Sequence, residues 1–186
     1  MMENGNTLYT LIVHSENIAG ILNQVTAVFT RRQVNIESLN VSASSIEGVH
    51  RYTITAYADE DTIRKIAAQI EKKVDVLQCQ YFTDNEIFMQ EVALYKVTTG
   101  AMIQDPGISE TIRHYGANII EVNSTFSVIE KTGPTQEIMA LNRELSKAGV
   151  LLQYVSSGRV AITRARIEHV SEYLEKMEAR YGKSNS

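Results

Sequence analysis

Seven residues, His14-Ser15-Glu16-Asn17-Ile18-Ala19-Gly20, join an apolar run to the first stretch with helical spacing. A helix N-terminus exposes unpaired amides and a partial positive charge, so a loop that feeds one suits a carboxylate. Asn17 offers both a donor and an acceptor. Gly20 has no side chain, so its backbone can approach a ligand closely. Such a loop could hold an amino acid by its charged ends. The same residues could also form a plain strand–helix turn with Asn17 as the cap. Pattern alone leaves both readings open.

Other chemistry is sparse. The ten glycines include no G-x-G pair, which removes the dinucleotide fingerprint and the P-loop. No G-x-S-x-G elbow is present. His14, His50, His114 and His169 are scattered, and with Cys79 as the single cysteine a zinc site would need distant residues. Neither a catalytic nor a metal site is expected. Cys79 shares an alternating strand with Leu77 and Tyr81 and reads as a buried, inert thiol. Glu60, Asp61, Glu71, Glu137 and Glu144 read as solvated helix faces. Tyr9, Tyr52 and Tyr57 could stack bases on a sheet. However, the segment Arg51 to Tyr57 lacks the glycine and Phe-Val core of RNA-binding strands, and no nucleic acid is expected.

The elements that would position the first loop follow from hydrophobic spacing. Leu8 to Val13 reads as a strand apolar on both faces. Ile21, Leu22, Val25, Val28 and Phe29 carry helical spacing, closed by Arg31 and Arg32. Asn35 to Ala43 reads as a strand. Tyr52, Ile54, Ala56 and Ala58 alternate with polar residues as in a half-buried strand. Asp59 and Asp61 precede a helix striped by Ile63, Ile66, Ala67, Ile70 and Val74. Leu77, Cys79 and Tyr81 close the set. The order β-α-β-β-α-β is the ferredoxin-like motif.

The pattern then recurs. Glu91 to Thr98, Asn118 to Thr125, Phe126 to Lys131, Val150 to Val155 and Val160 to Thr163 read as strands. A short helix carries Ile108, Ile112 and Tyr115, and a longer one carries Ile138, Leu141, Leu145 and Ala148. A last helix is expected near 167–181. The letters repeat as well: residues 35–42, NIESLNVS, lie against 118–125, NIIEVNST. The expected fold class is therefore α+β, with two ferredoxin-like α/β sandwiches. Residues 7–83 and 92–181 would form the domains, with 84–91 as a linker. Bare sheet faces must be covered, so subunit pairing is expected.

Composition fits a protein of this kind. Of 186 residues, 44% are hydrophobic and 22% charged, and 18 basic against 22 acidic residues give a net charge of −4. That balance opposes general nucleic-acid binding. The polar start Met1 to Asn6 gives no sign of a secretory leader, and no apolar run approaches the ~18 residues of a membrane span. With one cysteine, a cytoplasmic location is expected.

Three segments, Asn17-Ile18-Ala19-Gly20-Ile21-Leu22, Phe29-Thr30-Arg31-Arg32 and Val34-Asn35-Ile36-Glu37-Ser38-Leu39, resemble the ACT domain of acetolactate synthase small subunits. Val74 to Leu77 resembles the end of that domain, and Glu91 to Val97 the start of the C-terminal domain. The resemblance spans about residues 7–165. It implies a regulatory subunit without catalysis or a cofactor of its own. Such a subunit binds and activates a large catalytic subunit, which carries thiamine diphosphate, magnesium and FAD. It also confers feedback inhibition by a branched-chain amino acid, commonly valine. The resemblance implies an effector pocket at an ACT homodimer interface, formed by Asn17, Ile18, Ala19, Gly20, Ile21 and Leu22 with Asn35 and Ile36. Ile21 and Ile36 would line it for an aliphatic side chain. Ile18 stands where many members carry a polar or acidic residue, and Gln33-Val34 where many carry glycine-aromatic. A stand-alone ACT-type sensor acting on another enzyme or a transcription factor is the alternative.

Overall fold

The computed structural model describes residues 2–3 and 5–165. The helix expected at 167–181 lies outside them. The chain divides into two compact units, one built from residues up to Phe88 and rejoined at Ala161, the other from Met89–Val160.

The first unit runs β1 (Met2–Glu3), β2 (Asn6–Glu16), α1 (Ile21–Arg31), β3 (Ser38–Ala43), β4 (Val49–Ala58), α2 (Glu60–Glu71) and β5 (Val76–Phe82). Its strands lie in the order β5-β2-β4-β3, all antiparallel, with β1 on the start of β2. This is the ferredoxin-like order expected from sequence. Ile21, Val25, Val28 and Phe29 of α1 and Ile63, Ile66, Ala67 and Ile70 of α2 pack on Tyr9, Leu11, Val13, Ile54 and Ala56. Each large aliphatic buried there contributes ~1.5–3 kcal/mol. The Asp59 carboxylate opens α2 by accepting from the Thr62 amide at 2.8 Å. Its carboxyl is held below the usual value by the Thr62 hydroxyl and amide.

Three expectations fail here. Val74 is 96% exposed, because α2 ends at Glu71 before the stripe reaches it. Leu77 leaves the core face because the β2–β5 register shifts between His14 and Ser15, which returns Val76 beside Cys79. Finally, β4 is buried on both faces: Thr53 and Thr55 are buried beside Thr10, Ile12 and His14 of β2. This sheet face is not left bare for another subunit. Arg51 on it donates to the Ala161 carbonyl at 2.5 Å. What the first sheet leaves open is its edge, β3, whose last three residues are exposed.

The second sheet and its helices follow the same plan with β6 (Ile87–Thr98), α3 (Thr99–Gln104), α4 (Pro106–His114), β7 (Asn118–Val122), β8 (Phe126–Gly133), α5 (Thr135–Lys147), β9 (Leu151–Ser156) and β10 (Val160–Thr163), of which residues 87–88 and 161–163 fall in the first unit. The order is β9-β6-β8-β7, and β10 also pairs with β6. β6 begins at Ile87, inside the stretch read as a linker. There Ile87 is buried and Phe88 exposed, but the flanking acids obscure the alternation. α3 was not legible from spacing. Ala148 is exposed because α5 ends at Lys147. A polar knot sits in the second unit: Glu91 accepts from Thr135 and from Ser156, the latter at 2.8 Å, and lies 3.7 Å from Arg159. Both charged residues are buried.

Candidate functional site

The first loop is anchored by its backbone. The Glu16 amide donates to the Asp75 carbonyl and the Asn17 amide to the Gly48 carbonyl, both at 2.9 Å. Gly20 occupies the N-cap of α1 with φ +94°, a left-handed conformation that favours glycine. No side chain caps α1, so the reading of Asn17 as a helix cap does not hold. Among the described residues, the amides of Ala19, Gly20, Leu22 and Asn23 find no acceptor. The first turn carries no acidic side chain, and a Cβ built on Gly20 meets nothing within 4 Å. The result is an open, uncapped helix N-terminus, suited to a carboxylate. Ile18, 48% exposed, and Leu22, 42% exposed, flank it. Ile21 is 1% exposed and belongs to the core, so the apolar rim consists of Ile18 and Leu22.

Asn35 and Ile36 lie elsewhere. They follow the C-terminus of α1, whose 11 residues span ~16 Å, and they sit at the far end of the sheet from Asn17. Glu16 pairs with Val49 at one end of β4, whereas Ser38 pairs with Thr55 toward the other. Asn35 lines a cleft of about 420 Å³ with Asn6, Arg32, Gln33, Glu37 and Tyr57. Ile36 is half-buried against the core. Within one chain, then, the structure separates the eight expected residues into two groups and does not bring them to a common ligand.

The second unit provides an internal contrast. Its helix α4 starts with Pro106, and the Asp105 carboxylate accepts from the Gly107 amide at 2.9 Å. A carboxylate of the chain itself occupies that helix terminus, so the second copy of the fold lacks the open cradle of the first. Cys79 is buried, and burial pushes its thiol far above the usual range. A thiol held protonated in this way is a poor nucleophile. Among the described residues, no three His, Cys, Asp or Glu side chains gather as around a metal ion, and no helix is long and apolar enough to cross a membrane. Gln33 and Glu37 line the cleft beside Asn35 although neither was among the residues expected at the site.

The comparisons agree on one family. The model for the AHAS small subunit-like ACT domain matches residues 11–78, and that for the small subunit of acetolactate synthase matches residues 90–165. The acetolactate synthase small subunit of Mycolicibacterium smegmatis is 30% identical over 163 residues, covering 88% of this chain and 95% of that protein. The Bacillus subtilis small subunit is 30% identical over 156 residues, covering 83% and 90%. The crystal structure of the small subunit from Thermotoga maritima superposes with a TM-score of 0.76 at 25% identity, covering 86% of this chain and 99% of that one. The two sandwiches, the ACT-type loop on the first and the matched relatives together place this chain in the acetolactate synthase small-subunit family.

Proposed function

We propose that the chain acts without chemistry of its own, as the regulatory partner of an acetolactate synthase large subunit in the cytoplasm. It binds and activates that subunit, which holds the thiamine diphosphate, magnesium and FAD, and it confers feedback inhibition by valine. The effector-binding domain is 7–83, its boundary with the C-terminal domain 92–181 falls within 84–91, and the uncapped N-terminus of α1 is the observation that carries the reading. Four unpartnered amides and no acid in the first turn suit the effector carboxylate. The exposed Ile18 and Leu22 suit an aliphatic side chain. One methylene is worth only ~1–3 kcal/mol, so selectivity among valine, leucine and isoleucine is incomplete.

The pocket is completed by a second copy of the chain. The open edge β3 supports this: a two-fold axis pairs identical edges antiparallel. The start of one β3, beside Asn35, then lies next to the end of its partner, Ala43. Ala43 pairs with His50 at the end of the sheet that holds Asn17. Asn17 of one chain and Asn35 of the other thus meet one ligand, although a single chain holds them far apart. Because the ligand bridges two chains, it binds interface geometries with different affinities, which is the requirement for an allosteric effect. The test is reconstitution. The full chain alone should make no acetolactate from pyruvate. Mixed with the large subunit, it should co-purify, raise the rate and make that rate sensitive to valine. A mixture no faster than the large subunit alone overturns the reading.

A further inference from the structure

Gln33 is the one non-glycine residue with positive φ among the described residues, at +55°. It sits where the chain reverses after α1. The Val34 amide donates to the Phe29 carbonyl and the Gln33 amide to the Thr30 carbonyl, both at 3.1 Å. This is a Schellman C-terminus, whose left-handed position is usually glycine because other residues are strained there. Stability alone therefore does not explain a glutamine. Its surroundings supply a reason: Gln33, Asn35 and Glu37 line the same cleft, at alternate positions entering β3. Among the described residues Glu37 forms no side-chain hydrogen bond or ion pair. The cleft holds one cation, Arg32, against two carboxylates, Glu37 and Asp59. Arg32 donates through Nε to Gln69 of α2 at 3.2 Å, and Asp59 is engaged by Thr62.

We propose that Gln33 and Glu37, with Asn35, form the wall that receives the α-ammonium of the effector, so that the cleft selects amino acids over their uncharged or deaminated analogues. This deepens the reading above and rests on it: the carboxylate goes to the α1 N-terminus of one chain, and the ammonium to the Gln33–Glu37 wall of the other. An ammonium has three donors. The two side-chain amide oxygens and the Glu37 carboxylate supply three acceptors, and the carboxylate supplies the charge. The strain at Gln33 is then accepted for recognition.

The experiment uses the full chain with its large subunit, titrated with L-valine and with the 2-oxo acid of the same carbon skeleton, beside thermal unfolding of the full chain alone. Glu37→Gln should raise the half-inhibitory valine concentration at least about tenfold. It should also shrink the preference for valine over the 2-oxo acid, a ratio that a purely structural role would leave unchanged. Gln33→Gly should relieve the strain, raising Tm by about 2–4 °C while weakening valine inhibition several-fold. Unchanged valine response and unchanged preference in both variants, while Asn35→Ala abolishes inhibition, would remove Gln33 and Glu37 from the ligand and leave the pocket standing. A wild-type holoenzyme that responds to no branched-chain amino acid would overturn the underlying reading and the ammonium wall with it.

Discussion

Gly20→Asp separates folding from recognition at the uncapped helix terminus. The backbone at residue 20 has φ +94°, so a side chain there is strained by ~1–2 kcal/mol. No atom lies within 4 Å of the added Cβ, so no steric penalty follows within the chain. A carboxylate at a helix N-terminus returns ~0.3–1 kcal/mol through the dipole. The net loss of stability is therefore roughly 0–1.7 kcal/mol, small against the ~5–15 kcal/mol of a typical domain, and the domain should remain folded. Recognition suffers more. Two carboxylates ~4 Å apart repel by ~1 kcal/mol in water and ~4 kcal/mol at an effective dielectric of 20. A site closed by a second chain lies toward the larger figure, and the new carboxylate also occupies the free amides. Valine inhibition of the reconstituted holoenzyme should weaken at least about tenfold while activation is retained. Gly20→Ala carries the strain without the charge and should keep most of the inhibition. Undiminished valine inhibition in a folded Gly20→Asp protein would refute the role of the α1 N-terminus. Equal loss in Gly20→Ala would assign the effect to backbone conformation rather than charge.

Two further outcomes concern the cores. The Cys79 thiol, raised by burial, should resist iodoacetamide at pH 8 in the folded chain and react after denaturation, and Cys79→Ser should leave activation and inhibition qualitatively unchanged. Glu91→Ala should destabilise the second unit by ~1–3 kcal/mol in urea unfolding of the full chain, because it removes the buried acceptor of Thr135 and Ser156 and the carboxylate 3.7 Å from Arg159, which keeps its bond to Thr135. A change under about 0.5 kcal/mol would show that the Glu91 carboxylate adds nothing net to the fold.

Much of the fold was legible in hydrophobic period. Ile63, Ile66, Ala67 and Ile70 mark a helix face, and Tyr52, Ile54, Ala56 and Ala58 a strand face, because each period matches one backbone geometry. The stripes were overextended at Val74 and Ala148, since periodicity does not say where a helix ends. Thr53 and Thr55 look solvent-facing by type but are buried, because burial of a sheet face depends on chain segments distant in sequence. The site was legible in part. Gly20 before a helix signals a special backbone, and the structure adds that the amides around it find no acceptor among the described residues. The separation of Asn17 from Asn35 depends on their lying at opposite ends of α1, which letter patterns do not display. Gln33 stood out only as a departure from the glycine usual there; its positive φ appears only in the folded backbone.

In the proposed assembly one effector is held by Asn17 of one chain and Asn35 of its partner. Asn17→Ala and Asn35→Ala should each abolish valine binding in their own homodimers, since losing a partner for a charged group costs ~1.5–3 kcal/mol or more. In a heterodimer of the two variants, one pocket carries both substitutions and the other carries neither. Titration calorimetry on the tagged, purified heterodimer is the decisive measurement. Recovery of about one near-wild-type valine site per dimer is the predicted result. Absence of any binding in a well-folded heterodimer would contradict the shared pocket, because each site would then draw both asparagines from the same chain.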